Sequence, residues 1–162
     1  LWAGLNQGLV QVVGTDHCPF TWEKKLMGKD DFSKIPNGHP AIEHRMELLW
    51  SEGVETGKIS PNKYVEVTST NAAKIFGMYP KKGCIAVGSD ADILILDPNK
   101  KHEISAKSHH MNVDYSCYEG WKVKGKTKAV LLRGKVAIEE GRVCIDKGYG
   151  QFVKRKKVSK VV

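Results

Sequence analysis

Three observations predict an α/β chain. Leu9-Val10-Gln11-Val12-Val13 is a β-branched run between Gly8 and Gly14, and Thr15-Asp16-His17-Cys18 follows it directly. Helix-opening residues then recur between 40 and 72. After Pro80 the pattern turns to short apolar runs punctuated by Gly83, Gly88 and Gly134. Apolar side chains on both faces of 9–13 predict a buried strand of the parallel kind.

The elements follow in order. The residues before Gly8 read as the end of a helix, and 9–13 as the strand. Residues 21–40 carry Gly28, Asp30, Asp31, Pro36, Asn37, Gly38 and Pro40 and read as a long loop, a length that is usually functional. Pro40 stands where a first helical residue belongs. Ile42, Met46, Leu49 and Trp50 then make one apolar face, with Glu43, His44, Arg45 and Glu47 mostly on the other. Ser60-Pro61 opens a second short helix. Thr68-Ser69-Thr70-Asn71 caps a third, 72–76, stopped by Gly77. Ile93–Leu96 is a strand closed by Asp97-Pro98, and Ala129–Leu132 is another. Lys135–Glu139 and Arg142–Ile145 flank Glu140-Gly141 as a hairpin. A buried parallel strand needs neighbours on both edges, and residues 1–80 offer none. The sequence therefore reads as the C-terminal end of something larger.

Composition narrows the class. The 162 residues are 41% hydrophobic and 27% charged, as in a globular protein. No apolar run reaches the ~18 residues of a transmembrane helix. The opening LWAGLNQGLV lacks a basic stretch ahead of an apolar core and is not read as a signal peptide. The four cysteines (Cys18, Cys84, Cys117, Cys144) form no CxxC pair. They read as reduced thiols of a cytoplasmic protein. The net charge of +8 is uneven. Residues 1–120 sum to −2 and residues 121–162 to +10, densest at Lys154, Arg155, Lys156, Lys157 and Lys160. A small basic nucleic-acid binder is the reading from charge alone. A solvated or subunit-docking terminus is the plainer one, and we expect no nucleic-acid and no membrane partner.

Asp16 is the leading chemical candidate. A carboxylate just past a buried parallel strand stands where barrel enzymes hold catalytic groups. It suits metal ligation or proton transfer to and from metal-bound water. An Asp capping the following loop is the alternative. His17 reads as a loop histidine with a structural hydrogen bond. His39 and His44 are five apart and do not form HExxH, and His109-His110 has no partner at metal spacing. Asp90 and Asp92 read as strand-entry residues before acid/base groups. Neither a phosphate loop nor a GxSxG elbow is present.

Longer segments add a family. VGTDHCPF, GKDDFSKIPNGHPAIEHRM and TSTNAAKIFGMYPKKGCIAVGSDADILILDP resemble the C-terminal third of the hydantoinases and dihydropyrimidinases. SHHMNVDYSCYEGWKVKGK and KGYGQFVKRK continue that resemblance. It implies the last strand and helices of a (β/α)8 amidohydrolase barrel over 1–80, with 9–14 as the eighth strand. It implies C-terminal strands of a β-sandwich over 81–150 and a basic tail over 151–162. The implied reaction is hydrolysis of the cyclic amide of dihydropyrimidines or 5-substituted hydantoins to N-carbamoyl amino acids. The implied cofactors are two divalent metal ions, zinc in most members, bridged by hydroxide and a carbamylated lysine. Asp16 matches the aspartate that ligates one metal and carries the proton from the attacking hydroxide to the leaving nitrogen. Asn37, in IPNGHP, matches the position whose backbone meets the substrate's imide edge.

The family's HxH motif, carbamylated lysine and other metal histidines have no counterpart in these residues, so the chain alone is expected to be inactive and to hold no metal tightly. A homotetramer is the implied assembly, with the basic tail reaching a neighbour. The alternatives are a non-catalytic dihydropyrimidinase-related scaffold protein, which lacks the metal aspartate, and another cyclic amidohydrolase such as allantoinase.

Overall fold

A computed structural model of the chain describes residues 1–158 and 161. Lys160 of the basic tail lies outside the described residues. Helices fill the first half and an antiparallel sheet the second.

Helix α1 (Trp2–Asn6) ends at Gly8, whose φ of 73° suits glycine. Residues 9–13, expected as a buried strand, belong to no strand here, and Leu9 is exposed. A parallel strand takes its hydrogen bonds from lateral neighbours. Among the described residues the run has one such backbone–backbone bond, from Val13 N–H to Val67 O (3.0 Å), besides the turn bonds of Leu9 and Val10 back to α1. Helix α2 (Trp22–Leu26) and a 3₁₀ turn (Phe32–Lys34) interrupt the expected loop.

Helix α3 (Arg45–Leu49) runs on as a π-helical turn (Trp50–Val54). It starts later than Pro40 predicts, and the Ala41 and Ile42 N–H groups donate to His17 Nδ1 (3.2 and 3.4 Å). Helix α4 (Pro61–Val65) has the predicted cap, with Ser60 Oγ accepting from Lys63 N–H at 3.0 Å. The expected break at 68–71 is absent. A π-helical turn (Glu66–Thr70) joins α4 to α5 (Asn71–Ile75) in one helical path. The Thr68 hydroxyl donates back to Tyr64 O (2.6 Å) and caps nothing. Asn71 is buried with its amide on Gln11 O (3.0 Å). Gly77 ends the path at φ 66°, as predicted.

Leu5, Leu49, Ile59, Tyr64 and Val67 form the helical core, with Trp2, Val10, Val13, Met46 and Trp50 against it. Burial pushes the Tyr64 hydroxyl up to about 12, and it donates to Met46 O (3.2 Å).

The sheet has four strands in sequence order, all antiparallel: β1 (Ile93–Glu103), β2 (Lys122–Leu132), β3 (Lys135–Glu139) and β4 (Arg142–Val143). Asp97-Pro98 does not close β1 as predicted. The strand bulges there and resumes at Lys101, with Asp97 Oδ1 accepting from Asn99 and Lys100 N–H (2.9 and 3.2 Å). The hairpin at Glu140-Gly141 is as predicted, both residues having positive φ (46° and 77°), but β4 stops short of Ile145.

Helix α3 and its π turn lie between the helical core and the sheet. Gly125 permits the approach: a Cβ there would stand 2.3 Å from Trp50 Cδ1. Glu47 Oε1 accepts from Thr127 N–H (3.1 Å), and Glu47 Oε2 from His102 Nε2 (2.8 Å). Ser51 Oγ accepts from Lys124 N–H (3.2 Å), and Lys124 Nζ meets Glu55 (2.6 Å). The polar face expected for α3 is thus partly buried: His44 and Glu47 are both inside. Burial alone would raise the Glu47 carboxyl; the hydrogen bonds from His102 and Thr127 outweigh it and hold the group below its ordinary value.

Candidate active site

Asp16 sits on an exposed turn with φ 48°, a left-handed conformation that Asp tolerates better than most residues. Residues in this region persist where their surroundings over-determine them, and they cluster at functional sites. The flanking contacts supply that constraint. His17 is half-buried, and its Nδ1 accepts the two N–H groups of Ala41 and Ile42, which places its proton on Nε2. This is the structural hydrogen bond expected of it. Cys18 N–H donates to His39 O (3.3 Å). Gly38, at φ 104°, leaves no room for a side chain, because a Cβ would meet Cys18 Cβ and O at 2.6 Å. The Asp16 turn and the Pro36–Pro40 loop are therefore bonded side by side. The two residues singled out from sequence, Asp16 and Asn37, lie on these adjoining exposed segments.

Lys25, at the end of α2, was not singled out by sequence. Its ammonium donates to Pro36 O and to Gly38 O (2.6 Å), the carbonyls on either side of Asn37. A lysine in the last turn of a helix reads as a complement to the helix dipole. Only the fold shows what it reaches. A cavity of about 380 Å³ opens beside the turn, lined by Gly14, Thr15, His39, Arg45 and Trp121 among others; neither Asp16 nor Asn37 lines it.

The other candidates are accounted for by the packing. Asp90 pairs with Lys81 (2.6 Å) and Lys82 (2.9 Å), and Asp92 pairs with Lys82 and accepts from Arg133 N–H (2.8 Å). They secure the entry to β1, as expected. His110 bonds Glu43 (2.9 Å), and that bond raises the imidazole above its ordinary value. His44 lies buried beside His109, with ring centroids 6.0 Å apart, and burial lowers it. All four cysteines are free.

Asp16 fits one place in a metal ligand set. Its carboxylate is exposed and takes part in no hydrogen bond or ion pair among the described residues. No three His, Cys, Asp or Glu side chains converge on a common point among the described residues. This chain therefore offers a cation one carboxylate at the turn, where a catalytic zinc needs about three protein ligands.

The general model of the amidohydrolase family matches residues 1–137. The chain belongs to the amidohydrolase family. It is 49% identical over 158 residues to the D-hydantoinase of Geobacillus stearothermophilus, an alignment covering 97% of this chain and 34% of that protein. It is 48% identical to the dihydropyrimidinase of Rattus norvegicus, over 93% of this chain and 29% of the relative. Its fold superposes on the crystal structure of dihydropyrimidinase from Brevibacillus agri with a TM-score of 0.96 at 50% identity, covering 98% of this chain and 35% of that one. The chain thus spans about a third of the length of the relatives it matches.

Proposed function

We propose that this amidohydrolase chain is the C-terminal part of a metal-dependent cyclic amidohydrolase that opens dihydropyrimidines or 5-substituted hydantoins to N-carbamoyl amino acids. The observation that carries the proposal is Asp16. Its carboxylate has no hydrogen-bond or ion-pair partner among the described residues and is held on a left-handed turn bonded to the Asn37 loop. The 49% identity to a D-hydantoinase and 48% to a dihydropyrimidinase supports the substrate class. A non-catalytic scaffold relative would lack this aspartate.

In this reading Asp16 would hold one of two divalent ions, zinc by preference. Such an ion, when bound, supplies Lewis acidity and brings the pKa of water near neutrality. Asp16 accepts the proton of the attacking hydroxide as its oxygen bonds to the ring carbonyl carbon. It returns that proton to the ring nitrogen as the C–N bond breaks. The Asn37 backbone meets the amide edge of the ring. Residues 1–80 would complete the barrel, 81–150 the β-sandwich, and the tail 151–162 would meet a neighbouring subunit of a cytoplasmic tetramer.

The test is hydrolysis of dihydrouracil and a 5-substituted hydantoin by the full-length, zinc-loaded protein carrying these residues, followed by the appearance of the carbamoyl product. Turnover of either ring that Asp16→Asn removes is the expected result. A full-length protein that opens neither ring overturns the proposal. The isolated 162-residue chain should hold less than one zinc; tight binding of one or two would contradict its partial ligand set.

A further inference from the structure

Lys25 stands in an unusual place for a surface lysine. Its ammonium bridges the carbonyls of Pro36 and Gly38 and lies 5.5 Å from the centroid of the Phe20 ring. The residue between those carbonyls is Asn37. Among the described residues the only cis peptide is Tyr79–Pro80, so the Pro36–Asn37 peptide is trans. A trans peptide holds C=O and N–H antiparallel. With Pro36 O turned to Lys25, the Asn37 N–H points the opposite way. Among the described residues, no backbone bond takes up the Asn37 N–H or C=O. Gly38 at φ 104° closes against Cys18, so the loop cannot turn over without opening its contact with the Asp16 turn. A cation on a peptide oxygen also polarises that peptide and strengthens its N–H as a donor.

We propose that Lys25 is a positioning residue for the substrate. It clamps the carbonyls on either side of Asn37 so that the Asn37 N–H is presented to the ring's amide edge beside Asp16. This rests on the proposed cyclic amidohydrolase reading. Lys25 touches neither the ring nor a metal. It acts by preventing rotation of the peptides around Asn37, so its loss should weaken ring binding more than it slows the chemical step.

The experiment compares the full-length, zinc-loaded protein with Lys25→Met and Lys25→Arg. Lys25→Met should raise KM for the ring substrate about tenfold with kcat changed less than about threefold. The Kd of the N-carbamoyl product should weaken by a similar factor, and amide hydrogen exchange over 35–39 should speed up. Lys25→Arg keeps the positive charge and several N–H donors and should recover most of KM and of the exchange protection. Unchanged KM and exchange in Lys25→Met overturns the proposal, as does a fall in kcat with KM unmoved. If Lys25→Met does not fold, Lys25→Gln replaces it, and a Gln variant with parental KM and exchange overturns the proposal equally. Exchange is read without turnover, so a protein that opens no ring disproves the substrate reading while the exchange arm still tests the clamp.

Discussion

Around Asp16 the chain is held by bonds to main-chain groups: His17 on two N–H groups, Cys18 N–H on His39 O, Lys25 on two carbonyls. Between α3 and the sheet it is held by side chains shut away from water: Glu47 on His102 and Thr127, and Trp50 over Gly125. The turn and its loop keep Asp16 and Asn37 exposed, whereas α3 with its N-cap and π turn buries His44, Glu47, Leu49 and Ser51. Under the proposed function the contrast separates chemistry from stability. A shape set by main-chain bonds lets a side chain on it change without opening a cavity. A helix wedged between a core and a sheet does not allow that.

The largest effect tests the exposed side of this contrast. Asp16→Asn should lower kcat/KM of the full-length enzyme by about 10³-fold or more, within the range of a lost acid–base group. Its unfolding free energy should stay within about 0.5 kcal/mol of the parent, as for a surface change. A variant that loses stability along with activity would erase the distinction.

Glu47→Ala should do the reverse. Removing one partner of a buried pair costs about 3 kcal/mol. The loss should appear in urea unfolding, and His102→Ala should add much less in the double variant than alone. Additive losses would mean that the two do not act as a pair.

Acid should weaken the same helix. Glu47 is held below its ordinary 4.5 by its hydrogen bonds, and burial holds His44 below its ordinary 6.5. In both cases the unfolded chain binds the proton more readily. Their contribution is full above those ordinary values and is lost as pH falls through the lower folded ones. His110, raised by Glu43, contributes in the opposite sense and loses its share as pH rises. Stability should therefore decline from about pH 6.5 downward, and His44→Phe should flatten the first part of that decline. An unaltered profile in His44→Phe would remove His44 from the account.

The smallest expected effect is local to α4. Ser60→Ala deletes the cap on Lys63 N–H and should cost about 1 kcal/mol with no change in KM. A change in KM would couple this remote helix end to the site.

What the sequence alone determined is short in range. Ser60-Pro61 opens α4, Gly77 ends the helical path, and Glu140-Gly141 turns the hairpin, because each rests on φ/ψ sterics within a few residues. Asp16 and Asn37 stand out by type, position and resemblance, and the structure places both on exposed segments. The tertiary structure alone decided what depends on partners far along the chain. Residues 9–13 have a strand's composition, but without lateral neighbours they form no ladder. Thr68 and Asn71 look like caps, yet bond Tyr64 and Gln11 inside one continuous helical path. His44 and Glu47 follow the polar side of a helical repeat and are buried because a sheet closes over them. Lys25 is a plain helix-terminal lysine until the loop folds back and brings two carbonyls to its ammonium. Backbone preference is written in neighbouring residues; burial and long-range hydrogen bonds exist only once the chain has closed on itself.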